Sequence, residues 1–321
     1  MQIYFRTRIE AQPGDKWREF FQIHWAHYRV WFMKEGESSR PRYLTCRKML
    51  REHMPELIPT YDRLVSLAGG GDLEARFLSM WVPPPYLSAC SQLALSSPIP
   101  VLIRNYDYSP KLFEGAIWHT NYVQPVIGMS DVFWGLLDGI NASGLSISLT
   151  FGGSREVGIG FGIPLIVRYI LETCRNTKEA IDTAKRLPSH MAYNLTFIDA
   201  TGQIATVFLH PIRPTEILNS TCATNHQSKI DWVDFVNQTH SVERLRALNA
   251  EAAQDKHNLD WVSRQFLLPP LYSTDFHRGY GTLYTSMYYP QQLTALYYWH
   301  GFQILRSFQS IDEPEFWVQL A

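Results

Sequence analysis

The chain has 321 residues, with 29 Lys and Arg against 30 Asp and Glu, giving a formal net charge of −1. That balance argues against nucleic acid or an anionic membrane as partner, since both select a basic surface. With 45% hydrophobic and 14% aromatic residues the chain can bury a large core, which excludes a disordered protein.

No run of about 18 apolar residues occurs, so no membrane-spanning helix is expected. The start, MQIYFRTRIEAQPGDKW, carries charge from Arg6 onward and lacks the apolar stretch of a secretion signal, so the expected setting is cytoplasmic. The four cysteines, Cys46, Cys90, Cys174 and Cys222, fit no zinc spacing and are too few for a disulfide scaffold. Asn-x-Ser/Thr triplets at Asn141, Asn194, Asn219 and Asn237 read as chance without such a signal.

Residues 1–80 read as mostly helical. KWREFFQIHWAHYRVWFMKEG (16–36) sets aromatics at helical spacing, and residues 46–81 continue the pattern with breaks at Pro55, Pro59 and Gly69–Gly71. WVPPPYLSAC (81–90) follows, where three prolines forbid helix and favour an extended chain. Beyond this boundary VLIRNYDY (101–108) and LSISLTF (145–151) read as strands. DGINASGL (138–145) reads as a turn entering the second of them, with Asp138, Gly139 and Asn141 as turn formers.

Two helices are expected over 161–174 and 177–187, the second opened by a capping box of Asn176 and Glu179. Residues 192–210 read as a β-hairpin turning at Ala200–Gly202, and GTLYTSMYY with LTALYYWH as a second. The Tyr- and Trp-rich end, LYYWHGFQILRSF, reads as a buried strand and helix. This order of elements suggests an α+β layered fold rather than alternating βαβ units.

Cys90, in SACSQLAL, stands between the proline-rich boundary and the RNYDY strand. That strand sets Arg104 and Asp107 three apart, on opposite sides if regular. A cation beside a thiol favours the reactive thiolate, and a carboxylate can orient a base. LTFGG places glycines after Thr150 and Phe151, where the backbone can approach a ligand closely. CATNH places Asn225 where an amide could donate to an oxyanion. Cys46, Cys174 and Cys222 read as core thiols.

SACS, RNYDY, DGINASGL, GFGIPLIVRYILETC, AYNLTFIDATG and CATNH occur in an order that resembles the acyl-CoA:isopenicillin N acyltransferase-like (peptidase C45) family. That family is related to the choloylglycine hydrolases and penicillin V acylases within the N-terminal nucleophile (Ntn) hydrolases. The resemblance covers about residues 45–300. It implies an αββα four-layer sandwich and a precursor that cleaves itself between Ala89 and Cys90, dividing a helical pro-segment, 1–89, from a catalytic domain, 90–321.

It also implies roles. Cys90 would be the nucleophile and, through its freed α-amine, the base. Asp107 would hold that amine, and Arg104 would support the site electrostatically. Asn225 would donate to the oxyanion hole, with the backbone N–H near Thr150 as second donor. A late arginine is expected at Arg278, or more weakly Arg244. Asn194, Asn141 and Tyr106 would line or brace the substrate pocket. The implied substrate is a small-molecule linear amide or thioester, hydrolysed or passed to an amine, with no metal or organic cofactor. Two departures stand out: relatives carry Gly before the nucleophile and Thr after it, where this chain has Ala89 and Ser91.

Two other readings remain open on sequence: a Cys/His enzyme using His226 or His119 without chain cleavage, and an unprocessed Ntn-like scaffold that only binds a small molecule or partner. A metal enzyme has no HExxH or paired-cysteine pattern to support it. The oligomeric state is left open.

Overall fold

Strict alternation of Ile3, Phe5 and Thr7 with polar residues makes Gln2–Ile9 a strand, β1, with those three side chains buried. This corrects the mostly helical reading of the first 80 residues. The computed structural model describes residues 1–254, 256–278 and 280–320. Helices α1 (Asp15–Phe32), α2 (Tyr43–His53), α3 (Ile58–Leu67) and α4 (Asp72–Leu78) follow as expected. On α1, Trp17, Phe20, Phe21 and Phe32 fall on one buried side.

The chain then turns through Met80 and Val82, both with positive φ, and Val82 N–H is held by Gly160 O at 2.9 Å. Three prolines carry it, without helix, into β2 (Ala89–Leu95), paired along its length with β3 (Val101–Tyr108). SACSQLAL is therefore itself a strand. It is buried on both faces, so it lacks the alternation that reveals a half-buried strand.

Four strands form a meander: β4 (Ala116–Asn121), β5 (Pro125–Asp131), β6 (Gly135–Asn141) and β7 (Leu145–Phe151). Helices α5 (Ile163–Thr173) and α6 (Thr177–Arg186) come next, and Asn176 Oδ1 caps α6 by accepting from Glu179 N–H at 3.0 Å. The first expected hairpin is β8 (Tyr193–Asp199) and β9 (Ile204–Leu209), followed by short β10 (Glu216–Leu218) and β11 (Cys222–Ala223). After α7 (Val233–Gln238), α8 (Ser241–Ala252) and α9 (Leu259–Gln265) comes the second hairpin, β12 (Gly281–Tyr289) and β13 (Thr294–Trp299). The expected C-terminal helix is instead β14 (Phe302–Ser307), turned back on β13 at Gly301, with β15 (Glu315–Gln319) last.

These strands make two sheets. The larger runs β10-β9-β8-β7-β6-β5-β4-β1-β15 and the smaller β11-β2-β3-β12-β13-β14. β1 lies between β4 and β15, so the expected pro-segment contributes a strand to the large sheet. Helices α5 and α6 pack on the outer face of the large sheet; α8 and α9 pack on the outer face of the small one through Leu248, Val262 and Phe266. The result is the expected αββα sandwich. No described helix is long and apolar enough to cross a membrane.

A polar seam ties the two sheets together. Asp138, in the middle of β6 rather than in a turn, pairs with Arg104 of β3, and both side chains are fully buried. Tyr284 donates to the same carboxylate at 2.6 Å, and Tyr288 donates to its other oxygen. Nearby, Gln92 of β2 donates to Thr196 of β8 at 2.8 Å and accepts from Ser148 of β7 at 2.5 Å. Removing one partner of a buried pair strands the other charge, so Asp138→Ala should cost about 3–5 kcal/mol of stability. Urea unfolding of the variant beside the wild type measures this.

Candidate active site

Strand register arranges the site. β2 and β3 pair Ala89 with Asp107, Cys90 with Tyr106 and Gln92 with Arg104. Opposed residues share a face. Cys90, Gln92, Arg104 and Tyr106 therefore point into the seam, while Ala89, Ser91 and Asp107 point outward toward α8.

In the seam, Arg104 Nη2 donates to Cys90 Sγ at 3.3 Å, and its Nη1 serves Asp138. Its guanidinium lies over the Tyr106 ring, 4.6 Å from the centroid. Ser88 Oγ is 3.8 Å from the sulfur. Burial nevertheless pushes the Cys90 thiol above its ordinary pKa, and Arg104 pulls it only part of the way back. Arg104 thus favours the thiolate, as a cation beside a thiol should, and burial outweighs it.

On the outward side, Cys90 N–H donates to Asn225 Oδ1 at 2.9 Å. Arg244 of α8 donates to the same oxygen at 2.7 Å, to Ser91 Oγ at 2.9 Å and to Cys90 O at 2.5 Å. Two obligate donors on one atom fix it as the amide oxygen. The Asn225 NH₂ then donates to Ser88 O and Phe151 O, each at 3.2 Å. Asp107 accepts from Thr282 Oγ1 at 2.6 Å and lies 3.7 Å from Arg244. Burial raises its pKa to about 6, against the pull of Arg244, Thr282 and Arg104.

The expected site residues therefore divide. Cys90, Arg104, Asp107, Asn225 and Tyr106 converge. Arg278 does not: it is exposed on a short helical turn over Phe276–Arg278, and Arg244, the weaker candidate, reaches the site from the buried face of α8.

Thr150 is not a free donor. It sits opposite Asn194 in the β7–β8 ladder, and Gly152 N–H bonds Ala192 O two residues on. The alternation of an antiparallel ladder then commits the Thr150 N–H to Asn194. Its hydroxyl donates to Thr224 O at 2.7 Å. Asn194 donates to Thr224 O at 2.8 Å and His226 O at 3.0 Å, so it braces the loop that carries Asn225.

The Asn141 side chain is committed to backbone groups. Its amide donates to Leu171 O and Cys174 O at the end of α5, and its oxygen accepts from Ser143 and Leu145 N–H. The glycines after Phe151 serve packing rather than a ligand: a Cβ on Gly153 would sit 2.4 Å from Asn225 O. The Cys/His reading gains nothing, because among the described residues no imidazole hydrogen-bonds Cys90. His226 Nδ1 faces Ser241 Oγ at 2.8 Å, and His119 lies beside Arg306. The residues that sequence missed are Asp138, hidden in a turn-like DG pair, and Ser88, Thr282, Tyr284 and Tyr288, whose types carry no signal by themselves.

Two cavities lie near the site, and the smaller borders Ala89 itself. One of about 270 Å³ borders Ala89, Asp107, Arg244 and Tyr272 on the outward side. The other, of about 610 Å³, borders Tyr86, Tyr108, Phe113, Glu114 and Asp131. Tyr280 borders both.

Among solved structures the fold is similar to conjugated bile acid hydrolase from Clostridium perfringens, at 14% identity and a TM-score of 0.48, covering 71% of this chain and 96% of that one. A Caenorhabditis elegans N-acylethanolamine-hydrolyzing acid amidase ortholog gives 13% and 0.47, covering 63% and 93%. Penicillin V acylase from Agrobacterium tumefaciens gives 12% and 0.39, covering 73% and 78%. No curated protein matches the chain. The profile of the acyl-coenzyme A:6-aminopenicillanic acid acyl-transferases matches residues 96–303, a span that holds Arg104, Asp107, Asp138, Asn225 and Arg244. This match covers well over half of the chain, and the chain belongs to that family of acyl-transferring enzymes.

Proposed function

We propose that the chain is a cysteine Ntn amidase that cleaves itself between Ala89 and Cys90 and then hydrolyses a linear amide through an acyl group carried on Cys90. The observation that carries this reading is the pinning of one peptide bond. Asn225 Oδ1 holds the Cys90 nitrogen, Arg104 meets the sulfur, and Asp107 lies across the ladder from Ala89.

In self-cleavage sulfur attacks the Ala89 carbonyl, the thiol proton passes to the Cys90 nitrogen as the C–N bond breaks, and Ala89 is left as a thioester. Water then releases the Ala89 carboxylate and restores the thiol. Once the chain is cut, the thiol needs a base for turnover, and the freed α-amine with an ordinary pKa of about 7.7–8.0 can be one near neutral pH. In turnover the amine takes the thiol proton as sulfur attacks the substrate carbonyl and returns it to the leaving amine. Water resolves the acyl-enzyme by the same path.

Cleavage also changes what Asn225 can do. In the uncut chain one of its N–H groups is occupied by Ser88 O. Departure of that carbonyl frees a donor for the substrate oxyanion, the role expected of Asn225. Acyl transfer to an amine is the close variant of this mechanism, and the 270 Å³ cavity beside Ala89 leaves room for an amine in place of water.

Three outcomes test the reading. Intact-mass measurement should find wild type split between Ala89 and Cys90 and a Cys90→Ala protein whole; a whole, active wild type would sink the amine-base mechanism. An ionised Asp107 would steady the charge that the Cys90 nitrogen gains as it is protonated, and burial raises its pKa to about 6, so the precursor's cleavage rate should fall about tenfold per pH unit below 6. A time course followed by gel at several pH values would show this, and Asp107→Asn should be slow without that acid limb. Arg244→Ala should slow both cleavage and turnover by at least tenfold, whereas Arg278→Ala should match wild type in the same assays.

A further inference from the structure

The larger cavity lies on the sulfur side of β2 and β3. Tyr106, across from Cys90, shares its face with Tyr108, and Tyr108 borders the cavity. An acyl group bonded to Sγ extends toward this side, whereas the freed α-amine and Asp107 face the smaller cavity. Tyr28, Trp31, Tyr108 and Phe113 form much of the wall, and Lys34 and Lys111 also border it without pairing with Glu114 or Asp131.

Two carboxylates, Glu114 and Asp131, border the same space. Glu114 Oε1 accepts from Tyr28 and Phe133 N–H, and its Oε2 accepts from Ser130. Asp131 Oδ1 accepts from Val132 N–H at 3.1 Å and lies 3.1 Å from the Tyr28 hydroxyl, whose one proton goes to Glu114. Among the described residues Asp131 Oδ2 has no donor, and neither carboxylate has a Lys or Arg within ion-pair distance. Burial pushes the pKa of both upward, and the nearby Glu114 charge raises Asp131 further. His24 borders the cavity too, its Nε2 buried without a partner, and burial lowers its pKa to about 4, so the ring is neutral.

A carboxyl group held away from water without a cation keeps its proton, and a cation bound beside it restores the charged form. Aromatic faces add attraction for a cation. The turn beside them is also one that sequence economy would avoid: Val132 and Phe133 both take positive φ, at 53° and 72°, where Asn-Gly would fit without strain.

We propose that this cavity is the acyl subsite and that it selects an acyl group with an aromatic or apolar body ending in a protonated amine. The assignment rests on the reading of Cys90 as nucleophile. The acyl carbonyl sits at Sγ, the body lies among the tyrosines, and the ammonium meets Asp131 Oδ2, with Glu114 behind it.

The test uses full-length protein and two measurements. Calorimetric titration compares 4-phenylbutylamine with the neutral 4-phenylbutan-1-ol. The amine should bind wild type at least tenfold more tightly, and Asp131→Asn should bring the two within about threefold. Turnover compares coumarin amides of 4-phenylbutanoyl and 4-(4-aminomethylphenyl)butanoyl groups, and the charged acyl group should give at least a tenfold higher kcat/KM. The wild-type comparisons stand even if the variant folds poorly. A split, active enzyme that favours the neutral partner or treats both alike overturns the charge selection by itself. An amine preference in a protein that neither splits nor cleaves amides overturns the acyl role through failure of the Cys90 reading, which the intact mass reports separately.

Discussion

The Arg104–Asp138 pair is the constraint on which the site depends. It joins the middle of β3 to the middle of β6 across the space between the sheets, where both groups are closed off from water. Two charges so placed are tolerable only with nearly complete hydrogen bonding, which Tyr284 and Tyr288 supply to the carboxylate. The pair sets where the guanidinium stands, and register then sets Cys90 beside it. Arg104 touches the sulfur and favours its ionised form, but burial outweighs this and raises the thiol's pKa. A neutral thiol in that position is inert until a base reaches it. Since no imidazole does so among the described residues, the chain's own amine becomes the candidate.

The position of β1 gives the proposed cleavage a physical consequence. Residues 1–89 pair with β4 and β15, and α1 walls the larger cavity through Tyr28 and Trp31. A single cut at Ala89–Cys90 breaks one covalent bond and leaves the strand pairing and aromatic packing of this segment in place. On the proposed reading it is therefore a lasting part of the pocket, held by the same burial that holds any core element, and pro-segment describes its synthesis better than its fate.

Much of the fold was legible where residue types and local signals carried it. Both hairpins, the α5–α6 pair and its Asn176 cap follow from β-branched and aromatic runs joined by turn residues, helical spacing and cap chemistry. β2, β4, β5 and β6 were not, because strands covered on both faces lose the period-2 pattern. Asp138 was misread for the same reason: beside Gly139 it has the composition of a turn, and only its partner 34 residues earlier in the chain shows it to be an interior charge. Of the site itself, RNYDY and CATNH could be read because their spacing is local. Arg244 over Arg278 could not, since the choice depends on which side of α8 faces Asn225. The N–H of Thr150 itself is committed to the β7–β8 ladder before any ligand arrives.

Asn225 shows how the uncut and cut chains would differ without any large movement. Its oxygen holds two donors and its NH₂ two acceptors, so in the uncut chain the amide has no capacity left. Of these four partners, only Ser88 belongs to the segment ahead of the scissile bond. Cutting at Ala89 removes the one acceptor tied to the old chain end and leaves the three that fix the amide's orientation. A donor released in this way is already aimed and needs no reorganisation to meet a developing negative charge, which is the condition under which such donors contribute most to catalysis. The same bond that positions the chain for its first acyl transfer would thus, once lost, prepare the site for the next.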